Sequence, residues 1–229
     1  MYKVVLFDAY GTLLDVDSAA ANLAGSGTYP ALSDVWPELS ALWRSRQLNY
    51  SWLRSLSGSY KPFWEITEDA LDFAMDSLGL DNKDMRADLL SLYRKLDAYS
   101  EVPAMLDALD KAGLPAAVLS NGNHDMLTDA FAAAGLSSRL AGLLSVEDVG
   151  IFKPAPQVYE LGCKYFDAQP SEILFVSSNG WDAAAAGLFG FHTIWANRSG
   201  APVERLPNAP DHIASDLSYV ATHLNTLTG

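Results

Sequence analysis

From residue 102 to residue 196, short apolar runs alternate with helical patterns, and no other feature of the chain restricts its fold so tightly. A helix beginning near Pro103 stops at Gly113, and the run "PAAVL" leads into Ser120. A helix near 125–134 stops at Gly135 and is followed by "LLSV". A helix over 156–166 then leads to "ILFV", and a helix over 181–189 leads to "TIWA". Buried strands separated by helices pair in parallel through right-handed crossovers. The fold class expected is therefore α/β, a doubly wound parallel sheet with helices on both faces. "VVLF" at residues 4–7 adds one more strand near the start.

Between about residues 16 and 97 the strand pattern is absent. Residues 38–57 carry apolar side chains at helical spacing and end before Gly58. "TEDALDFAMDSLG" predicts a second helix, with Thr67 as N-cap, two acids in the first turn and Gly79 at the stop. Residues 82–96 predict a third. The organisation that follows is a core of residues 1–15 and 98–229, with a helical cap, 16–97, inserted after the first strand. There is no internal repeat and no low-complexity segment. A hydrophobic content of 49% against 19% charged residues suits a globular chain.

Several predicted strands end on polar residues. Asp8 closes the first, Ser120-Asn121-Gly122 closes another, and "SSNGWD" at 177–182 closes a third. "FKPAP" places Lys153 just before a helix. In a parallel sheet all of these share one edge, where open α/β sheets carry their function. An acid at the end of a buried strand is costly unless something uses it. Asp8 could serve as metal ligand, general base or nucleophile. Alone it would read as a turn residue ahead of Gly11; its convergence with Lys153, the Ser-Asn turn and Asp182 points to chemistry.

The formal net charge of −13 argues against nucleic acid and anionic membranes as partners. It also means that an anionic substrate must be met by local cations and backbone donors. No apolar run approaches the length of a membrane span. Cys163 is the only cysteine, which excludes an intrachain disulfide and suits a reducing cytoplasm. The chain enters its first strand with no signal-peptide pattern, so the sequons at Asn49 and Asn197 are expected to be chance matches. The four histidines show no metal-ligand spacing, and no role is assigned to them.

"FDAYGTL", "LSNG", "FKP" and "SSNGWD" follow the motif order of the haloacid dehalogenase superfamily, and the resemblance covers essentially the whole chain. Phosphohydrolases of that superfamily carry a second aspartate two positions after the nucleophile and a magnesium-binding acid after the last core strand. Tyr10 and Ser178 stand at those positions here. Their absence argues against phosphoryl transfer, which depends on a metal to neutralise developing charge. "ALWRSRQLNYSWLRSL", "SEVP", "KPAPQVYEL" and "FVSSNGWDA" further resemble the (S)-2-haloacid dehalogenases. That family hydrolyses short 2-halogenated carboxylic acids to 2-hydroxy acids, without metal and with inversion.

The resemblance implies a role for each candidate. Asp8 would attack the halogen-bearing carbon and form an ester, which water then hydrolyses. Nucleophile and substrate are both carboxylates, and at about 4 Å with an effective dielectric near 20 they repel by roughly 4 kcal/mol. Lys153 would contact the nucleophile and offset that repulsion. The Ser120 hydroxyl and the backbone amides near Ala9, Tyr10 and Asn121 would hold the substrate carboxylate. Arg44, with Asn121 and the Trp181 ring, would receive the halide, Arg46 and Arg54 being the alternatives nearby. Asp182, oriented with Ser177 and Asn179, would serve the hydrolytic water, although a first-turn acid on a helix fits the same position. Thr12 would bond within the Asp8 turn, and Tyr159 would support Lys153 or the nucleophile. Tyr10, Leu48, Phe63 and Trp181 would form the apolar wall. A homodimer is also implied. The competing readings are a phosphohydrolase of small phosphate esters and a non-catalytic binding protein of the same fold.

Overall fold

The computed structural model describes residues 2–222 and 224, so Met1 and the last few residues of the expected 98–229 core segment lie outside the described residues. In chain order the elements are β1 (Val4–Phe7), α1 (Ser18–Gly25), α2 (Trp36–Ser57), α3 (Phe63–Ser77), α4 (Lys83–Tyr93) and α5 (Val102–Lys111). They continue with β2 (Ala116–Ser120), α6 (His124–Ala133), β3 (Leu143–Ser145), α7 (Pro156–Phe166) and β4 (Ile173–Ser177). The last are α8 (Gly180–Phe189), β5 (His192–Ala196), β6 (His212–Ala214) and α9 (Ser218–Thr222).

The strands form one sheet in the order β3-β2-β1-β4-β5-β6, and every pairing is parallel. This is the Rossmann-like, doubly wound arrangement. β1 lies in the middle, and all four of its side chains are fully buried, as an unbroken apolar strand between two layers requires. Phe7 is in register with Val118 of β2 and Val176 of β4, so Asp8, Ser120 and Ser177 leave the sheet at the same edge. The winding reverses between β1 and β4. Open sheets have their crevice at that point.

The loop after β1 turns at once. The Ala9 carbonyl accepts from the amides of Thr12, Leu13 and Leu14, and Gly11 takes a φ of +83°. A side chain at Gly11 would be strained there. At the end of β2, a Cβ on Gly122 would sit 2.8 Å from the Tyr10 ring, so only glycine lets the two loops close on each other.

Between residues 18 and 93 the described structure is helical, as the sequence pattern predicted. The α2 helix ends at Gly58, whose φ is +64°. Thr67 is not an N-cap. The third helix starts four residues earlier, behind Pro62, and Thr67 is buried inside it with its hydroxyl donating to the Phe63 carbonyl. Glu65 is the acid of its first turn. Asn82, in contrast, caps α4 by accepting from the amides of Asp84 and Met85. Residues of both regions share one buried apolar cluster, including Trp43, Phe63 and Tyr93 beside Tyr10 and Phe152.

Candidate active site

Four loops deliver the polar residues to one edge of the sheet. Asp8 follows β1, Ser120 and Asn121 end β2, Lys153 precedes α7, and Asn179 to Asp182 open α8. The centre is Lys153, a fully buried ammonium. Its Nζ donates to Asp8 Oδ1 at 3.1 Å and to Asp182 Oδ2 at 2.7 Å, and lies 4.8 Å from the centre of the Phe175 ring. A buried cation is tolerable only when paired, and here two carboxylates pair it. Burial alone would lower the Lys153 pKa. The charges of Asp182 and Asp8 outweigh it, so the pKa lies above its ordinary value and the ammonium is held.

The second oxygen of Asp8 is also fixed. Asn179 Nδ2 donates to Oδ2 at 2.9 Å, and the Thr12 hydroxyl donates to the same oxygen at 3.2 Å. Thr12 Oγ1 in turn accepts from the Ser178 amide at 2.8 Å, tying the first loop to the last. Arg198 braces this turn from behind, donating to the Thr12 carbonyl at 2.9 Å while paired with Glu101 at 2.7 Å. A carboxylate held at both oxygens is fixed in one orientation.

Asp182 is fully buried and lies in the first turn of α8, three residues past the N-cap position occupied by Asn179. Its side chain does not cap the helix. It accepts from Lys153 on one oxygen and from the Tyr159 hydroxyl, at 2.8 Å, on the other. Burial raises its pKa, Lys153 opposes that, and the charge of Asp8 adds to it, leaving the pKa above the ordinary 3.8. Tyr159 therefore supports Asp182, not Lys153 or Asp8 directly. Its own pKa lies well above 10, chiefly through burial and then through Asp182, so it is a donor. Ser177 is fully buried, and its hydroxyl accepts from the Asn179 amide at 3.1 Å, a turn contact.

Above Asp8 lies a small cavity lined by Asp8, Tyr10, Arg44, Leu48, Phe63, Ser120, Asn121, Lys153, Asn179 and Trp181. Asn121 Oδ1 accepts from the Lys153 amide at 3.0 Å, and Ser120 Oγ accepts from the Gly122 amide at 3.1 Å. Arg44 reaches in from α2. It donates to the Tyr10 carbonyl at 3.2 Å and, among the described residues, forms no ion pair with a carboxylate. Arg46 lies over the Phe73 ring at 4.2 Å and Arg54 pairs with Asp69 at 3.8 Å, so neither joins the cavity.

Sequence reasoning missed what holds Arg44. Gln47, one helical turn on and 1% exposed, accepts from Arg44 Nη1 at 3.0 Å. Its amide nitrogen donates to Thr67 Oγ1 at 2.7 Å and to the Tyr93 hydroxyl at 3.1 Å. Tyr93 stacks on Tyr10 with ring centres 5.6 Å apart. The signal available in the sequence was the i, i+3 spacing of Arg44 and Gln47. Tyr93 carried none.

The model of haloacid dehalogenase-like hydrolases matches residues 2–190. The chain is 44% identical over 227 residues to (S)-2-haloacid dehalogenase 1 of Pseudomonas sp. (strain CBS-3), covering 99% of this chain and 98% of that one. It is a member of the (S)-2-haloacid dehalogenase family. The solved structures agree. A crystal structure of an L-2-haloacid dehalogenase superposes with a TM-score of 0.92 at 41% identity, covering 98% of this chain and 99% of that one. An L-2-haloacid dehalogenase from Xanthobacter autotrophicus with chloropropionic acid covalently bound superposes with a TM-score of 0.85 at 35% identity, covering 98% of this chain and 99% of the other.

Proposed function

We propose that this enzyme hydrolyses the carbon–halogen bond of short (S)-2-haloalkanoic acids to give (R)-2-hydroxy acids through an ester on Asp8. The observation that carries the reading is the cavity itself. A doubly anchored carboxylate and a guanidinium without a carboxylate partner face the same small space, in a chain whose net charge of −13 would otherwise repel an acid.

An Asp8 oxygen attacks C2 from the side opposite the halogen. The C–O bond forms as the C–X bond breaks, and the electron pair leaves with the halide. Halide is a weak base, so no proton donor is needed, in keeping with Tyr10 where a phosphohydrolase carries an acid. Arg44, the Asn121 amide and the Trp181 ring edge receive the halide. The substrate carboxylate rests on the Ser120 hydroxyl and the amides of Ala9, Tyr10 and Asn121. Leu48, Phe63, Tyr10 and Trp181 enclose its alkyl group.

Esterification removes the charge of Asp8. That charge is one of the influences raising the Asp182 pKa, so Asp182 becomes more fully ionised when the ester forms. It then takes a proton from the water that attacks the Asp8 carbonyl carbon, and the C2–O bond to the product is left intact. Lys153 stays with Asp182, the remaining carboxylate, and Asn179 and Thr12 steady the carbonyl under attack. The cation between the two carboxylates is Lys153 Nζ, which supports a reaction independent of divalent metal. We place the helical insertion, residues 16–97, as the cap that supplies Arg44, and the enzyme as a cytoplasmic homodimer. The single cysteine supports that compartment, and no helix among the described residues is long and apolar enough to cross a membrane. Family resemblance supports the dimer.

Halide release from the separate enantiomers of 2-chloropropionate, with the product resolved on a chiral column, tests the reading. The (S) form should be consumed and (R)-lactate formed. Retained configuration, or equal turnover of both enantiomers, would overturn it.

A further inference from the structure

The reaction cavity is small. Its volume is about 10 Å³, room for roughly one water. A neighbouring apolar groove has a volume of about 770 Å³. Trp52, Leu56, Pro154, Trp181, Leu188 and Leu206 are among the residues lining that groove. Trp181 lines both spaces. A substrate larger than a water molecule must displace some part of the cavity wall, and the walls differ in what they can yield.

Tyr10 and Phe63 are 2% and 1% exposed and are wedged against Tyr93 and Phe152. Asp8, Ser120 and Lys153 are held by the sheet and by the charge network. Trp181 is only half-buried, in the first turn of α8, and the groove lies on its far side. What braces it there is Trp52 of α2. The two indoles meet edge to face, with ring centres 5.3 Å apart and planes at 86°. Such a contact holds a ring by geometry as well as by buried area. Trp52 is not positioned by a polar anchor. Its Nε1 is buried and has no hydrogen-bond partner among the described residues.

We propose that Trp52 determines substrate specificity: by bracing Trp181 it separates the reaction cavity from the apolar groove and so limits the length of the C2 alkyl substituent. The inference rests on the haloacid reading. With the brace removed, Trp181 swings toward the space Trp52 occupied, and a longer chain passes into the groove. Each methylene buried there is worth roughly fourfold in relative affinity.

The test compares Trp52→Ala and Trp52→Phe with the parent enzyme on (S)-2-bromopropionate, (S)-2-bromohexanoate and (S)-2-bromooctanoate, read as kcat/KM by bromide release. The expected result for Trp52→Ala is a rise of about tenfold or more in the octanoate-to-propionate ratio of kcat/KM. Trp52→Phe keeps an aromatic brace and the fold, and should move the ratio in the same direction by less. Leu188→Trp, which narrows the groove, should reverse the gain when combined with either variant. Propionate turnover with an unchanged ratio in folded Trp52→Phe and Trp52→Ala would overturn the proposal alone. Bromide release from none of the substrates by the parent enzyme would overturn the haloacid reading with it.

Discussion

Replacing Tyr159 by phenylalanine removes one oxygen from the centre of the molecule and leaves the ring packing of Phe175, Phe189 and Phe191 in place. The lost bond is the 2.8 Å donation to Asp182 Oδ1, between fully buried side chains, and no other described side chain reaches that oxygen. A hydrogen bond to an ionised group contributes about 1.5–3 kcal/mol. For a chain of this length that corresponds to a fall in Tm of roughly 3–12 °C near neutral pH. The loss should depend on pH, and its sign follows from Asp182. Burial holds that carboxyl above its ordinary 3.8, so its contribution to stability is most favourable below the unfolded pKa and is lost as pH rises to the folded value. The Tyr159 hydrogen bond works against the rise, and Tyr159→Phe pushes the folded value higher still. The difference between variant and parent should therefore be largest near pH 7 and shrink on acidification, once Asp182 is protonated in both. Thermal unfolding followed by circular dichroism across that range reads the difference, and the acid limb of kcat should move upward in the variant. A drop in Tm that is the same at every pH, or none at all, would refute the account of this carboxylate.

Three further outcomes follow from the same geometry. Asp182→Asn should release about one halide per active site and stall with an ester on Asp8, because general-base assistance is typically worth on the order of a hundred- to ten-thousand-fold; quench-flow and intact mass measurement check it, and normal turnover would return Asp182 to a structural role. Gln47→Leu should leave Arg44 Nη1 without its acceptor, weaken product inhibition by chloride and lower kcat/KM by roughly ten- to a hundredfold, since small displacements of a positioning group carry penalties of that order. Exhaustive chelation should leave halide release unchanged, and activity that vanishes with chelator and returns with magnesium would contradict Lys153 as the charge partner of both aspartates.

The sheet was legible in the chain because its strands are unbroken apolar runs and its helices have clear stops. The helix predicted over residues 156–166 occupies Pro156–Phe166. β6 escaped because three residues, two of them exposed, make no pattern, and α1 escaped because its alanine-rich turn has little periodicity. Thr67 misled because a Thr ahead of two acids is a strong start signal, whereas the true start at Pro62 and Phe63 is set by packing of Phe63 against Phe152. Within the site, residues at strand ends could be gathered from topology alone. Partnerships across the fold could not. Tyr159 and Asp182 are 23 positions apart, on helices that meet only when the sheet is built. Gln47 looks like one more polar residue on a solvated helix face until the 1% exposure is seen.

The central claim is that Asp8 itself forms the bond to carbon, and a single turnover in heavy-oxygen water tests it most directly. With enzyme in excess over (S)-2-chloropropionate, the lactate formed should carry ordinary oxygen donated by the protein. The heavy atom should then be found by mass spectrometry in the peptide containing Asp8. Lactate that carries the heavy oxygen from the first turnover, with the Asp8 peptide unlabelled, would mean that water attacks C2 directly, and the covalent account would be wrong.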